Sequence, residues 1–388
     1  MMRRLAELTS EADILEAIRL SEYAFQRKLS EKELAKAKQL YQKHEVIGIK
    51  EGGKLLSKLN IIPFKAQIEH LDMDMGGIAG VAAWPEERRK GTVRQLLVES
   101  LKRMRENQQT ISFLHPFKIA FYRKFGWELA FYQKVYRLKR EHLTPFEQTD
   151  GFVRRLEKAE GQAAAGLLYD QFRSRHNGLL RREADYWMTD ILEDSVVTAV
   201  YYSKEGVPLG YMLYTIENRK MTIDELICIR HEARMGLWNF ICQHDSMIEE
   251  LEMTVQPEDG LDYHLDEPKI KQEIQPYAMA RITDIGSFLE QYPLRRRIEE
   301  PFIFQVKDNA APWNNRTFKV DKQGVEAADE KRDAGCLTGD IAALTAFFLG
   351  ARSARFLYES GRLTGSEKEV MRLDDTIRPR SPWINDFF

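Results

Sequence analysis

The chain has 388 residues, 43% of them hydrophobic and 30% charged, which is enough for two or three domains with their own cores. Its formal net charge of −2 excludes a general nucleic-acid binder, which needs a basic excess to neutralise phosphates. The three cysteines, Cys228, Cys242 and Cys336, are widely spaced, and neither they nor the eight histidines form a metal-ligand spacing, so reduced thiols, a cytoplasmic setting and no metal are expected.

The opening "MMRRLAELTS" carries charge but no apolar run behind it, so no signal peptide is expected. Next, "EADILEAIRLSEYAF" and "SEKELAKAKQLYQKH" read as amphipathic helices, the second started by Ser30 with Glu33 three residues on, a capping-box pattern. "EVIGIKE" and "KLLSKLNIIPFKAQI", joined at Gly52-Gly53, read as a hairpin, and "GGIAGVAAW" as a short strand ending at Pro85. After Gly91, Val93, Leu96, Leu97, Leu101 and Met104 fall on one helical face. "ISFL" is a buried strand, "FKIAFYRKF" a short helix, and "WELAFYQKVYRL" one or two strands. From about Glu147 the order repeats: helices "GQAAAGLLYDQFRSRH" and "LLRREADYWMTDIL", strands "VVTAVYY", "GYMLYTI" and "MTIDELICI", then the helix "EARMGLWNFICQH". That repetition predicts a duplicated fold without retained sequence. A third unit starts near Tyr277 with strand and helix in "AMARITDIGSFLEQY", followed by "PFIFQVKD", "RTFKV", an acidic glycine-bearing segment, "TGDIAALTAFFLG" and "ARFLYESGRL". Its apolar run from Ile341 to Ala351 is too short to span a bilayer.

One stretch points to chemistry. In "AWPEERRKGTVRQLLVESL" three cations, Arg88, Arg89 and Lys90, precede Gly91 and a helix start, where the helix dipole disfavours positive charge. A bound anion resolves the conflict: exposed N–H groups of the first turn, a glycine allowing close approach, and flanking cations make a pyrophosphate cradle. It is neither a P-loop nor the dinucleotide fingerprint. The alternative is a solvated basic turn, but the preceding apolar strand and strongly periodic helix favour the anion site.

"RRKGTV" after "VAAWPEE" is similar to the R/Q-x-x-G-x-G/A acetyl-coenzyme A signature of the GNAT N-acyltransferases, with Val93 at the last small position, and "FYRKFGW" resembles their F-Y-x-x-x-G-[FYW] element. "AMARITDIGSFL", "PWNNRTFKV", "LTGDIAAL" and the phenylalanine terminus resemble the Eis (enhanced intracellular survival) branch. The resemblance implies an α/β (α+β) chain of tandem GNAT folds and a sterol-carrier-like domain: a catalytic domain over 1–145, a degenerate second GNAT-like domain over 146–276, and a domain over 277–388 that delivers the C-terminus.

It also implies residue roles. Val81 and Ala83 match main-chain contacts to the thioester and pantetheine; Arg88, Arg89, Gly91 and Thr92 match the pyrophosphate loop; Tyr122 matches the general acid, although Phe117, Phe121, Phe125 and Trp127 also allow a plain core tyrosine. The first unit offers no obvious base, His115 being equally readable as a core histidine. The family supplies the α-carboxylate of the last residue, here Phe388, and "PWINDFF" is apolar enough to dock. The family's acidic residue beside that phenylalanine is replaced by Phe387, leaving Asp386 to stand in. The middle unit has Arg230 and Arg234 but no glycine in "RHEARMG", and reads as a cofactor-free scaffold. The implied activity is acetyl-coenzyme A dependent N-acetylation of primary amines: lysine side chains, polyamine-like or aminoglycoside-like compounds. A cytoplasmic homo-oligomer, trimer or hexamer, is implied as well. Two alternatives are a lipid or small-molecule carrier with decayed GNAT units, and a longer-chain acyl or aminoacyl transferase.

Overall fold

The structure is a computed structural model that describes residues 2–328 and 336–388; part of the acidic segment expected after "RTFKV", at 329–335, lies outside the described residues. The chain divides into two compact units. The first runs to Ala130, resumes over Ala278–Pro379 and takes in Phe387–Phe388; the second comprises Phe131–Tyr277 and Arg380–Asp386.

The chain begins β1 (Arg4–Glu7), α1 (Glu11–Ala24), α2 (Glu31–Lys43), β2 (Glu45–Glu51), β3 (Lys54–Ile68), β4 (Leu71–Ala83), α3 (Thr92–Glu106), β5 (Ile111–Leu114), α4 (Ile119–Arg123) and β6 (Glu128–Lys139). The predicted cap of α2 forms in full: Ser30 Oγ accepts from Glu33 N and the Glu33 carboxylate accepts from Ser30 N. β1 was not foreseen, because four residues give too short a run to read. β4 starts at Leu71 rather than Gly76, since Leu71–Gly77 complete the ladder with β3. β1 to β4 pair antiparallel in sequence order; α3 then carries the chain over so that β5 lies parallel to β4. The next strand in this sheet is β12 (Lys271–Ile282), through residues 279–282.

The second unit repeats this plan. β7 (Phe152–Leu156), α5 (Lys158–Arg173), a one-turn α6 (Ala184–Tyr186), β8 (Val197–Tyr202), β9 (Pro208–Glu217), β10 (Lys220–Cys228), α7 (His231–Cys242) and β11 (Glu250–Val255) follow in order. Neighbouring strands from β7 to β10 are antiparallel, β11 is parallel to β10, and β6 closes the sheet against β11. The fold duplication is therefore real. The helix expected over "LLRREADYWMTDIL" is absent: α6 and a π-turn at Trp187–Ile191 replace it. Leu179 and Leu180 are fully buried, and the Arg182 side chain turns into the core to meet Glu225 and Asp386, which a regular helix through 179–192 would not permit.

The rest of the first unit adds a short α9 (Ile285–Gln291), which follows α8 (Leu261–His264) of the second unit, and a five-stranded sheet. Its strands are β13 (Phe302–Lys307), β14 (Thr317–Val320), β15 (Val325–Ala328), β16 (Cys336–Asp340) and β17 (Leu363–Thr364), in the order β15-β14-β13-β16-β17. The greasy run at Ile341 becomes α10 (Ile341–Phe348), buried all round. No helix among the described residues is long and apolar enough to cross a membrane.

Candidate active site

Pairing between β4 and β5 stops at Ile78 and Leu114, because β5 ends there while β4 runs five residues further. On the β3 side the register shifts between Lys58 and Asn60, with Gly80 in the left-handed region at φ +55°. The edge of Ala79–Ala83 is left without a β5 partner. That edge, the α3 N-terminus and the α4 region enclose a cavity of about 1050 Å³. Val81, Ala83, Arg88, Arg89, Gly91 and Thr92 all line it.

The turn into α3 has the geometry that an anion site needs. Arg89 and Gly91 both have positive φ, +63° and +84°, which curls the backbone so that successive N–H groups converge. Gly91 is the N-cap and offers no side-chain cap, and no acidic residue occupies the first turn. A Cβ on Gly91 would meet nothing within 4 Å, so the left-handed φ, not crowding, calls for glycine. Glu87 holds Lys90 at 3.1 Å, whereas Arg88, Arg89 and Arg94 pair with no carboxylate among the described residues. The Thr92 hydroxyl is buried and has no hydrogen-bond partner among the described residues. Unpaired cations, uncapped N–H groups and an orphaned hydroxyl together fit a coenzyme A pyrophosphate. Sequence reading missed the opposite wall, Ala24 and Phe25 at the end of α1 and Asn309–Ala310, because these come from distant parts of the chain.

Tyr122, on α4, is 2% exposed and does not itself line the cavity; Phe117 and Phe121, which do, stand 5.4 and 5.2 Å from it, centroid to centroid. Its hydroxyl bonds to no described residue, and burial pushes the phenol pKa up, so the proton stays on oxygen near neutrality.

Phe388 packs on β4 as well. Its ring lies 5.0 Å from Phe64 and 5.1 Å from His115, and a Cβ on Gly77 would stand 2.8 Å from it. Gly77 thus clears the seat of the terminal ring. Phe387 is 73% exposed but lies against His115, so that histidine serves as a platform for the tail rather than a core residue. Asp386 does not take the place of an acidic neighbour at the terminus. It is fully buried in the second unit, where Arg182 donates to it at 2.7 Å and grips Glu225 with two bonds of 2.9 and 2.7 Å. In the second unit, Arg234 is spent on Asp259 at 2.8 Å, and Arg230 stands at the N-cap position of α7 without a side-chain cap bond.

Residues 6–130 and 178–282 each match a family described as acetyltransferase (GNAT) domain, and residues 285–385 match sterol carrier protein domain. A structure described as a conserved protein of unknown function and probable N-acyltransferase from Enterococcus faecalis superposes with a TM-score of 0.93 at 28% identity, covering all of both chains. An uncharacterized N-acetyltransferase of Streptomyces griseus is 22% identical over 80% of this chain and 81% of its own. The N-acetyltransferase Eis of Mycobacterium tuberculosis is 23% identical over 76% of each. Two GNAT folds, a strand edge left unpaired beyond β5 and a glycine turn at a helix start define an acyltransferase of the GNAT class. With the sterol-carrier domain behind them and N-acetyltransferase relatives along most of its length, the chain belongs to the Eis-like GNAT family.

Proposed function

We propose that this enzyme transfers the acetyl group of acetyl-coenzyme A to primary amines. The observation that carries the reading is the α3 cradle, where Arg88, Arg89 and Arg94 lack carboxylate partners among the described residues, beside a Thr92 hydroxyl without a partner among them. Bound acetyl-coenzyme A supplies an activated acyl carbon as a thioester. In this reading Arg88, Arg89, the N–H groups after Gly91 and Thr92 hold its pyrophosphate, and the free backbone edge at Val81 and Ala83 holds the pantetheine and the acyl carbonyl. Tyr122 keeps a proton for the departing sulfur. The α-carboxylate of Phe388 attracts and orients the cationic amine; with an ordinary pKa of roughly 3.5 it is too weak a base to strip an ammonium alone.

We also propose the division 1–145, 146–276 and 277–388, with the middle domain a scaffold that binds no cofactor. Lysine side chains, polyamines and aminoglycoside-like amines are the acceptor class, and a cytoplasmic homo-oligomer the working form. Calorimetric titration of acetyl-coenzyme A into the wild type and into the Arg88→Ala/Arg89→Ala double variant tests the cradle. Each charge-assisted phosphate contact contributes about 1.5–3 kcal/mol, so the double variant binds at least tenfold more weakly while its melting temperature holds. Unchanged affinity removes the cradle.

A further inference from the structure

Lys58 sits where a central strand should carry an apolar residue. It lies on β3 opposite Ala82, the residue between Val81 and Ala83. Its side chain is fully buried, and the Cβ position of Gly80 is 2.6 Å from Nζ, so only a hydrogen separates the amine from the bulge of β4. Nζ donates to Tyr41 Oη at 2.7 Å and to Asn60 Oδ1 at 3.1 Å. From α1, Ser21 Oγ meets Tyr41 Oη at 3.1 Å, and just past the end of α2, His44 Nδ1 meets Asn60 Nδ2 at 3.5 Å. β4 presents no ionisable residue to it, and the α1 carboxylates Asp13 and Glu16 are engaged by Lys50. Among the described residues no carboxylate pairs with Lys58. Burying an ammonium without counter-charge is costly, and a methionine would fill the same space, so packing does not account for the residue. Burial pushes the Lys58 amine down, toward the neutral form, and the nearby Tyr41 only partly opposes this.

The inference rests on the acetyl-transfer reading. In that reaction the amine lone pair forms the C–N bond and the C–S pair leaves with sulfur. An ammonium acceptor carries three protons and its amide product one. Of the two released, one ends on the thiol by way of Tyr122, and the second must leave. We propose that Lys58 and Tyr41 take up this second proton, handed on by water from the acceptor at the β4 bulge, and pass it through Ser21 to the outer side of α1. Lys58 is then a positioning residue, acting at one remove from the acceptor.

The test is the pH dependence of kcat between pH 6 and 10, with acetyl-coenzyme A and spermidine, in wild type, Lys58→Met, Lys58→Arg and Tyr41→Phe. The expected result is a kcat about 10²-fold lower in Lys58→Met, with a flattened pH profile and an acetyl-coenzyme A KM within twofold of wild type. Lys58→Arg, unable to release its proton, falls with it. Tyr41→Phe, which keeps the ring and decides the matter if both lysine variants fail to fold, loses the same inflection. Profiles that superimpose on the wild type overturn the proposal and leave acetyl transfer standing. If the wild type itself transfers nothing, the functional reading has failed first and this proposal falls with it. Nitrogen-15 lysine spectra give a readout without turnover: a Lys58 signal that remains an ammonium up to pH 10 overturns the relay.

Discussion

Tyr122, the proposed general acid, packs as a core residue would: its ring sits edge-on to Phe117, Phe121 and Trp127, yet its hydroxyl finds no partner among the described residues. The ring is buried, but the hydroxyl is not among the buried polar atoms left unsatisfied, so a phenylalanine would keep the same packing. Tyr122→Phe therefore keeps the melting temperature, while kcat falls by about 10²–10⁴-fold, the usual contribution of a general acid. A near-native kcat would return the residue to the core. Arg88 and Arg89 make the complementary case, since their side chains line the cavity and pair with no carboxylate among the described residues.

At the scale of elements, what was readable in the sequence follows from local physics. The cap at Ser30, the hairpin at Gly52-Gly53 and the apolar face of α3 each depend on residues a few positions apart, and each formed. On that face Val93 proved only half-buried, while Thr92 and Ser100 are buried in its stead. β1, β7 and β11 were missed because strands of four to six residues gain their stability from neighbours far along the chain. Of the site, the cradle and Tyr122 were legible as motifs. Lys58, a charge within "LLSKLNII", was passed over, since what surrounds its amine is set by Tyr41 of α2 and the bulge of β4. Asp386 was misread for the same reason: its partner Arg182 lies 204 residues away. Burial alone would raise Glu225, but Arg182 outweighs it and holds that carboxyl low; Asp386, with Oδ2 unpartnered among the described residues, is pushed up by burial. Arg182→Met leaves two carboxyls buried without their cation. It should cost about 3–5 kcal/mol in denaturant unfolding, and a cost below 1 kcal/mol would show the cluster to be solvated.

For the whole molecule, the end of the chain is a structural element rather than a loose tail. Trp383, Ile384 and Asp386 are buried, and Phe388 rests on the glycine of β4 that leaves room for its ring. Most chain termini tolerate extension. This one should not, because added residues move the α-carboxylate without changing any folded side chain. The most direct measurement is amine-dependent thiol release from acetyl-coenzyme A. It compares the chain ending at Phe388 with one carrying three glycines beyond it, over a panel of a lysine peptide, spermidine and an aminoglycoside. The protein ending at Phe388 should release thiol with at least one amine, and the extended protein should lose that activity while still binding acetyl-coenzyme A. No amine-dependent release by the chain ending at Phe388 would contradict acetyl transfer, and equal rates from the two proteins would contradict a catalytic Phe388 carboxylate.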